Sequence, residues 1–281
     1  MANPEKTRCA SLVRRAGRLL EEHGRTVVCD AATAGLVGNK WPTVPAVDAL
    51  ARQCDLLLVF GGDGTMLRIA RQVAGLPTPI LGINAGNLGF LTAVSPECLS
   101  EAIRKLTSGK FSIEERALLD ADVTQGGVSS QLSALNDFVL SRGLTSRLIE
   151  LEVSVNRELL TRYRCDGLIV SSPTGSTAYS LAAGGAIVSP EAEVMLLTPI
   201  CPHTLSIRPL ILGMDAMVQV RLLSARLIAI LAADGQEQIE LNAGDTVTVR
   251  RSLKKVRLLR LEGTTFFSTL RQKFGWSGGN L

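Results

Sequence analysis

The run Leu56-Leu57-Leu58-Val59-Phe60 passes without a break into Gly61-Gly62-Asp63-Gly64-Thr65, and a helical pattern carrying Leu67, Ala70 and Ala74 follows at once. Five apolar residues ending in glycines make a buried strand, far short of the roughly 18 uninterrupted apolar residues of a membrane span. The same alternation surrounds this turn. Leu12, Val13, Ala16, Leu19 and Leu20 recur at helical spacing ahead of Gly24, a C-cap residue, and Thr26–Cys29 reads as a strand. Gly75 and Pro77 close the helix after the glycine turn, and Ile80–Ile83 is the next strand. Ser95-Pro96, an N-cap with a first-turn proline, opens a helix with Leu99, Ala102, Ile103 and Leu106 that Gly109 ends. Strands alternating with helices indicate an α/β N-terminal domain with a parallel sheet. The chain starts almost directly with a helix, so this sheet is expected to lack its leading strand.

The texture changes near Phe111. Short strand-like runs follow at Leu118–Val123, Phe138–Leu140, Leu148–Val155, Leu168–Val170, Val218–Leu222, Leu227–Leu231 and Thr246–Val249, separated by turns such as Gln125-Gly126-Gly127 and Asp234-Gly235. Helical periodicity is scarce there, which predicts a β-rich C-terminal domain. Phe267, Leu270 and Phe274 then repeat at helical spacing. The expected division is 1–112 for the α/β nucleotide-binding domain, 113–262 for the β-rich dinucleotide-binding domain, and 263–281 for a segment packing back on the core.

Composition removes whole classes. With 281 residues, 46% hydrophobic and 20% charged, the chain can bury a proper core, and general disorder is excluded. Thirty basic against 26 acidic residues leave a net charge of +4, too even to argue for nucleic acid and suited to an anionic small molecule. The acid-free run from Arg250 to Arg260 is interleaved with apolar residues, as in a strand with one wet face; no aromatic stacking residues accompany it. Six cysteines form no Cys-x-x-Cys pair and only two histidines exist, so a zinc site is not expected and His203 reads as structural. Met1 to Arg15 carries charges and no apolar core, so it is no signal peptide; reduced thiols and a cytoplasmic location are the natural reading. Cys165 beside Asp166 reads as an inert thiol.

Three clusters carry candidate chemistry. In Gly61–Thr65, glycines let a ligand approach the backbone and the helix start favours anions. A carboxylate there must bind a metal, accept a hydroxyl proton or cap the helix, and the pentapeptide alone leaves all three open. Neither G-x-G-x-x-G nor G-x-x-x-x-G-K-[ST] occurs. The second cluster, Asp166 to Ser180 running into Leu181-Ala182-Ala183-Gly184-Gly185, is a strand, a hydroxyl-rich turn and a short helix. Its small donors suit phosphate and ribose oxygens, against an ordinary Ser/Thr-rich loop. The third, Asn136-Asp137, places an amide and a carboxylate ahead of a strand, against a simple turn-forming pair. Eleven of 26 glycines fall within 61–89 and 166–185, where they are expected to mark close approach to phosphate and ribose.

Together with Gly82-Ile-Asn84-Ala-Gly86-Asn-Leu-Gly89-Phe90-Leu91, Pro202-His203-Thr204-Leu205-Ser206 and Lys273-Phe274-Gly275-Trp276, these clusters resemble, in order, the motifs of the NAD kinase family in its bacterial form. The likeness covers the chain from about Ser11 to its end. The glycine–aspartate turn alone is shared with lipid kinases and phosphofructokinases, whereas the element ending Thr-Gly-Ser-Thr-Ala-Tyr-Ser is much more specific.

The resemblance implies transfer of the ATP γ-phosphoryl to the 2′-hydroxyl of the adenosine ribose of NAD, giving NADP and ADP. It implies a divalent metal, Mg2+, whose ligands it does not name, and a homodimer or homotetramer without nucleic-acid or membrane partners. Asp63 would accept the hydroxyl proton, with Gly64 beside it; Asn136 and Asp137 would hold the ribose and adenine region. Arg147, Arg164, Asp166, Thr177, Ala178, Tyr179, Ser180, Leu181 and Ala182 match positions lining the dinucleotide site, and Gln236 matches a polar residue reaching it from the β-rich domain. Gly61, Gly62, Gly64, Thr65 and Arg68 would meet ATP phosphates. The family usually carries Glu at 137; Asp137 is one methylene shorter, which implies reach through a water. A lipid kinase of the diacylglycerol or sphingosine type would have no reason to carry the 171–180 hydroxyls. A non-catalytic NAD sensor would keep the pocket without the reaction.

Overall fold

A computed structural model of the chain describes residues 1–6, 8–86, 88–92, 94–143, 146–225 and 227–276. In chain order its elements are α1 (Arg8–Glu22), β1 (Cys29–Asp30), α2 (Ala31–Val37), β2 (Thr43–Val44), α3 (Val47–Gln53), β3 (Leu57–Gly61), α4 (Asp63–Gln72), β4 (Ile80–Asn84), α5 (Leu99–Thr107) and β5 (Phe111–Gln125). There follow β6 (Val128–Ala134), β7 (Asp137–Ser141), β8 (Ile149–Val155), β9 (Glu158–Cys165), β10 (Gly167–Ser171), a 3-10 turn at Thr174–Thr177, α6 (Tyr179–Ala182), β11 (Val194–Ile200) and β12 (Leu210–Gly213). The last are β13 (Val218–Leu222), β14 (Ala229–Ala233), β15 (Glu237–Leu241), β16 (Thr246–Leu261) and α7 (Phe266–Phe274).

The chain divides into two compact units, residues 1–115 with 255–281, and residues 116–254. In the first, β3 and β4 pair in parallel from Leu57↔Ile80 to Gly61↔Asn84, and β16 joins β4 in parallel at Leu258↔Ile80. Helices α1 and α5 and β3 bury Leu12, Val13, Ala16, Phe60, Leu99 and Ile103 in one apolar cluster. The α/β domain with a parallel sheet is thus present. The sheet is not without a leading segment: Ala2 bridges Phe60 in parallel, Asn3 N–H donates to Phe60 O at 2.9 Å, and Phe60 N–H donates to Met1 O at 2.8 Å. Two expected boundaries move. The Thr26–Cys29 strand shrinks to Cys29–Asp30, because only these two residues find a partner, in Thr43 and Val44. The helix at Ser95-Pro96 starts later, at Leu99, since Cys98 N–H and Leu99 N–H first close a turn on Ser95 O and Pro96 O. At the other end α7 starts on a reciprocal Thr265–Ser268 capping box, and its Phe274 ring lies 6.0 Å from the Phe90 ring.

The second unit is β-rich. One antiparallel sheet runs β12-β11-β10-β7-β14-β15; in a second, β9, β8, β13 and the Thr246–Val249 part of β16 pair antiparallel. Burial alternates strictly along β13, as expected of strands with one face on a core. Phe138, Leu140, Val170 and Leu231 of the first sheet share a fully buried cluster with Leu151, Val153, Val220 and Val247 of the second. The basic run is indeed strand, and most of its charges are met locally. Arg250 bonds Asp122 at 2.9 Å, Lys255 bonds Glu115 at 2.8 Å and Arg260 bonds Glu114 at 2.8 Å.

Candidate active site

In the first unit β3 delivers the chain to Gly61, and Gly62 is the N-cap of α4, so Asp63 is the first helical residue. Asp63 does not cap: no side-chain cap bond exists at this helix start. Its carboxylate turns instead to the segment after β4, where it accepts from Phe90 N–H at 2.8 Å, Leu91 N–H at 3.1 Å and the Thr92 hydroxyl at 3.2 Å. Phe90 and Leu91 of the second motif, with Thr92, thus hold the carboxylate of the first. A Cβ on Gly89 would collide with the Asp63 carboxylate, which explains glycine there. Buried Asn84 accepts from Gly86 N–H at 2.5 Å and sets the turn between them; Asn87 of the same motif lies outside the described residues. Thr65 is buried, its hydroxyl 3.4 Å from the Asn3 amide, whereas Gly64 and Arg68 are exposed.

In the second unit Asn136 and Asp137 lead into β7. Asp234 clamps them, its carboxylate accepting from the N–H groups of Leu135 at 3.0 Å, Asn136 at 2.7 Å and Asp137 at 3.3 Å. Asp234 and Gly235, both at positive φ, form the tight turn between β14 and β15 that aims this carboxylate. Asp137 is 4% exposed, and its carboxylate finds no donor among the described residues. Burial, and then the charge of Asp234, push its pKa up to about 7. The Asn136 side chain is half-buried and makes no hydrogen bond among the described residues, while Gln236 is exposed on the turn.

Asp166 pairs with Arg142, Nε to Oδ1 at 2.7 Å, a partner that sequence spacing did not single out. Arg147 and Arg164 are exposed. Cys165 is fully buried and its thiol is pushed up to about 12 by burial, which leaves it unreactive. His203 is exposed, and its backbone N–H donates to Arg164 O at 2.8 Å.

The hydroxyl-rich turn departs from expectation. Ser172 donates to Leu135 O at 2.5 Å, Ser176 to Val188 O at 3.2 Å, and Ser180 is bonded to Thr198 at 2.9 Å, all three fully buried. These hydroxyls brace the fold. Thr177, Ala178, Leu181 and the more exposed Tyr179 and Ala182 form the part of the turn that meets solvent. The glycines are corrected in the same way. A Cβ on Gly61 would strike Thr65, on Gly82 the Leu91 carbonyl and on Gly175 the Asn136 backbone, so these mark close packing of protein on protein.

Among the described residues no group of three or more His, Cys, Asp or Glu could hold a metal ion, and no helix is long and apolar enough to cross a membrane. A cavity of about 790 Å³ in the first unit is lined by Met1, Val13, Leu20, Val28, Leu56 and Ile113 among others, and does not reach the glycine turn.

Residues 1–111 match the family described as ATP-NAD kinase N-terminal domain, and residues 135–261 match ATP-NAD kinase C-terminal domain. An NAD kinase of Desulforamulus reducens is 42% identical over 99% of this chain and 97% of its own length. One from Symbiobacterium thermophilum is 44% identical over 90% of each. Among solved structures, yeast NADH kinase complexed with NADH superposes with a TM-score of 0.88 at 26% identity, covering 100% of this chain and 88% of that one. An NAD kinase from Archaeoglobus fulgidus in complex with ATP gives 0.70 at 26% identity, over 94% and 93%. Matched by both domain families in order and by relatives above 40% identity along nearly its whole length, the chain belongs to the NAD kinase family.

Proposed function

We propose that this chain transfers the γ-phosphoryl group of ATP to the 2′-hydroxyl of the adenosine ribose of NAD, releasing NADP and ADP. The observation that carries the reading is the Asp63 carboxylate, fixed by three donors at the start of α4. The ribose oxygen forms a bond to γ-phosphorus, the bond to the β,γ-bridging oxygen breaks, and its electron pair leaves with ADP. The hydroxyl proton passes to Asp63. Such transition states are loose and highly charged, so alignment and charge neutralisation do most of the work. The N-terminus of α4 contributes positive potential where phosphates would lie, with Gly61, Gly62, Gly64, Thr65 and Arg68 around it.

Asn136 and Asp137 hold the ribose and adenine region of NAD, with Arg147, Arg164, Asp166, Thr177, Ala178, Tyr179, Leu181, Ala182 and Gln236 lining the dinucleotide site and buried Ser180 bracing the turn behind them. A divalent cation, Mg2+, supplies further charge neutralisation when bound. Among the described residues no group of three or more His, Cys, Asp or Glu would hold it, so it would be held chiefly by the phosphates of ATP. The six cysteines are all free, which supports a reducing cytoplasm. Edge strands β12 and β15 give the second unit surfaces for a homodimer or homotetramer, readable by light scattering.

The test is NADP formation from ATP, magnesium and NAD. Asp63→Asn should lower turnover by roughly 10²- to 10⁴-fold while NAD affinity stays within a few-fold. Near-normal turnover in that variant refutes the role of Asp63. NAD-dependent thermal stabilisation of the unaltered protein without product would favour a sensor.

A further inference from the structure

Around the glycine–aspartate turn Gly61, Gly82 and Gly89 are closed over by protein, whereas Gly62 and Gly86 are not. A Cβ on Gly62 would meet only the Lys6 ammonium, at 3.2 Å, and a Cβ on Gly86 would meet the same ammonium at 3.5 Å and the Asn84 carboxamide oxygen at 3.9 Å. Lys6 therefore stands over two glycines whose missing side chains are not explained by packing. Half-buried, it pairs with no carboxylate among the described residues, unlike Arg250, Lys255 and Arg260.

Its position is built. Asn3 N–H pairs with Phe60 O at 2.9 Å, and the Asn3 amide donates to the Thr65 hydroxyl at 3.4 Å, docking the segment on both β3 and α4. The Asn3 side-chain oxygen then accepts from Glu5 N–H at 2.9 Å, and Asn3 O accepts from Lys6 N–H at 3.3 Å. Asn3-Pro4-Glu5-Lys6 is thus a closed turn, and Lys6 O caps Cys9 N–H at 2.9 Å where α1 begins.

Resting on the phosphoryl-transfer reading above, we propose that Lys6 binds the triphosphate of ATP in the space over Gly62 and Gly86. It is a compact cation whose three donors meet phosphate oxygens beside the positive end of α4. Arg68, exposed on the second turn of that helix, is a separate cation.

The experiment compares Lys6→Met and Lys6→Arg with the unaltered protein by calorimetric titration with ATP and with adenosine. Lys6→Met should weaken ATP binding roughly ten- to hundredfold and leave adenosine binding within about twofold. Its ATP KM should rise in step while the NAD KM holds, and Lys6→Arg should recover most of the loss. Unchanged ATP affinity in Lys6→Met overturns the proposal. So does an equal loss for adenosine, or an unaltered protein that binds no ATP. Should Lys6→Met fail to fold, Asn3→Ala, which frees the turn but keeps the ammonium, must weaken ATP binding several-fold, and no change in it is equally fatal. ATP bound with Lys6 dependence but no NADP formed would refute the phosphoryl-acceptor reading alone.

Discussion

Two aspartates, one in each unit, receive opposite treatment. Asp63 is given three donors, two of them backbone N–H groups, and remains half-buried with lone pairs to spare. Asp137 is almost fully buried and given none, because Asp234 has taken the N–H groups of residues 135–137. One carboxylate is stabilised as an acceptor at a fixed place. The other is crowded toward its neutral form by burial and by a like charge. The lesson is that the same side chain takes on opposite character according to whether it receives backbone donors.

The comparison breaks most sharply at Gly89. Gly89→Ala places a methyl group against the Asp63 carboxylate and should cut turnover by roughly tenfold to a hundredfold through misalignment, with NAD affinity little changed. Retained turnover in NADP assays would mean that the three donors do not define the working position of Asp63.

Next in size is Asp234→Ala, which leaves three N–H groups without their acceptor. At roughly 1 kcal/mol for each of the three donors left unmet, and about 2–4 °C per kcal/mol in a chain of this size, melting should fall by about 6 to 12 °C. Asp234→Asn keeps an acceptor oxygen and should lose less. A loss as large as that of the alanine variant would show that charge, not hydrogen bonding, holds the turn.

The smallest effect sharpens the comparison through pH. The folded pKa of Asp137, about 7, lies above its unfolded value near 3.8, so between these values the native state holds the extra proton. Stability from this group is therefore present at the acidic end of the window and lost as pH rises toward 7, with no further change above. Asp137→Asn cannot ionise. Its melting temperature relative to the parent should climb by a few degrees between pH 4 and 7. A constant difference across that range would remove the coupling to Asp234.

Much of this was legible in the sequence. The apolar run ending in glycines located β3 and α4, and alternating patterns located β8, β13 and the second unit. The motif order was sufficient to indicate the family. What sequence could not show were contacts between distant positions: Asp234 lies about a hundred residues from the turn it clamps, and the residues that hold Asp63 follow a different strand. Composition misled where one residue type serves two ends. Serine in 171–180 looked like ligand chemistry and is largely internal bracing, because hydroxyls satisfy buried carbonyls as readily as they bind phosphate. The first six residues were read as the bare lead-in to a helix. Periodicity has no grip on so short a segment, yet it pairs with β3 and carries Lys6.

The contact between α7 and Phe90 has a consequence for how activity is acquired. Phe90 N–H grips Asp63, and the Phe90 ring rests 6.0 Å from Phe274 with the Lys273 ammonium 5.7 Å from its face. The support for the Asp63 carboxylate thus rests on a contact between distant parts of the chain, which closes a loop of high contact order. Catalytic competence should be among the last properties to appear in refolding, after the sheet has formed, and the first to go when the closing helix frays.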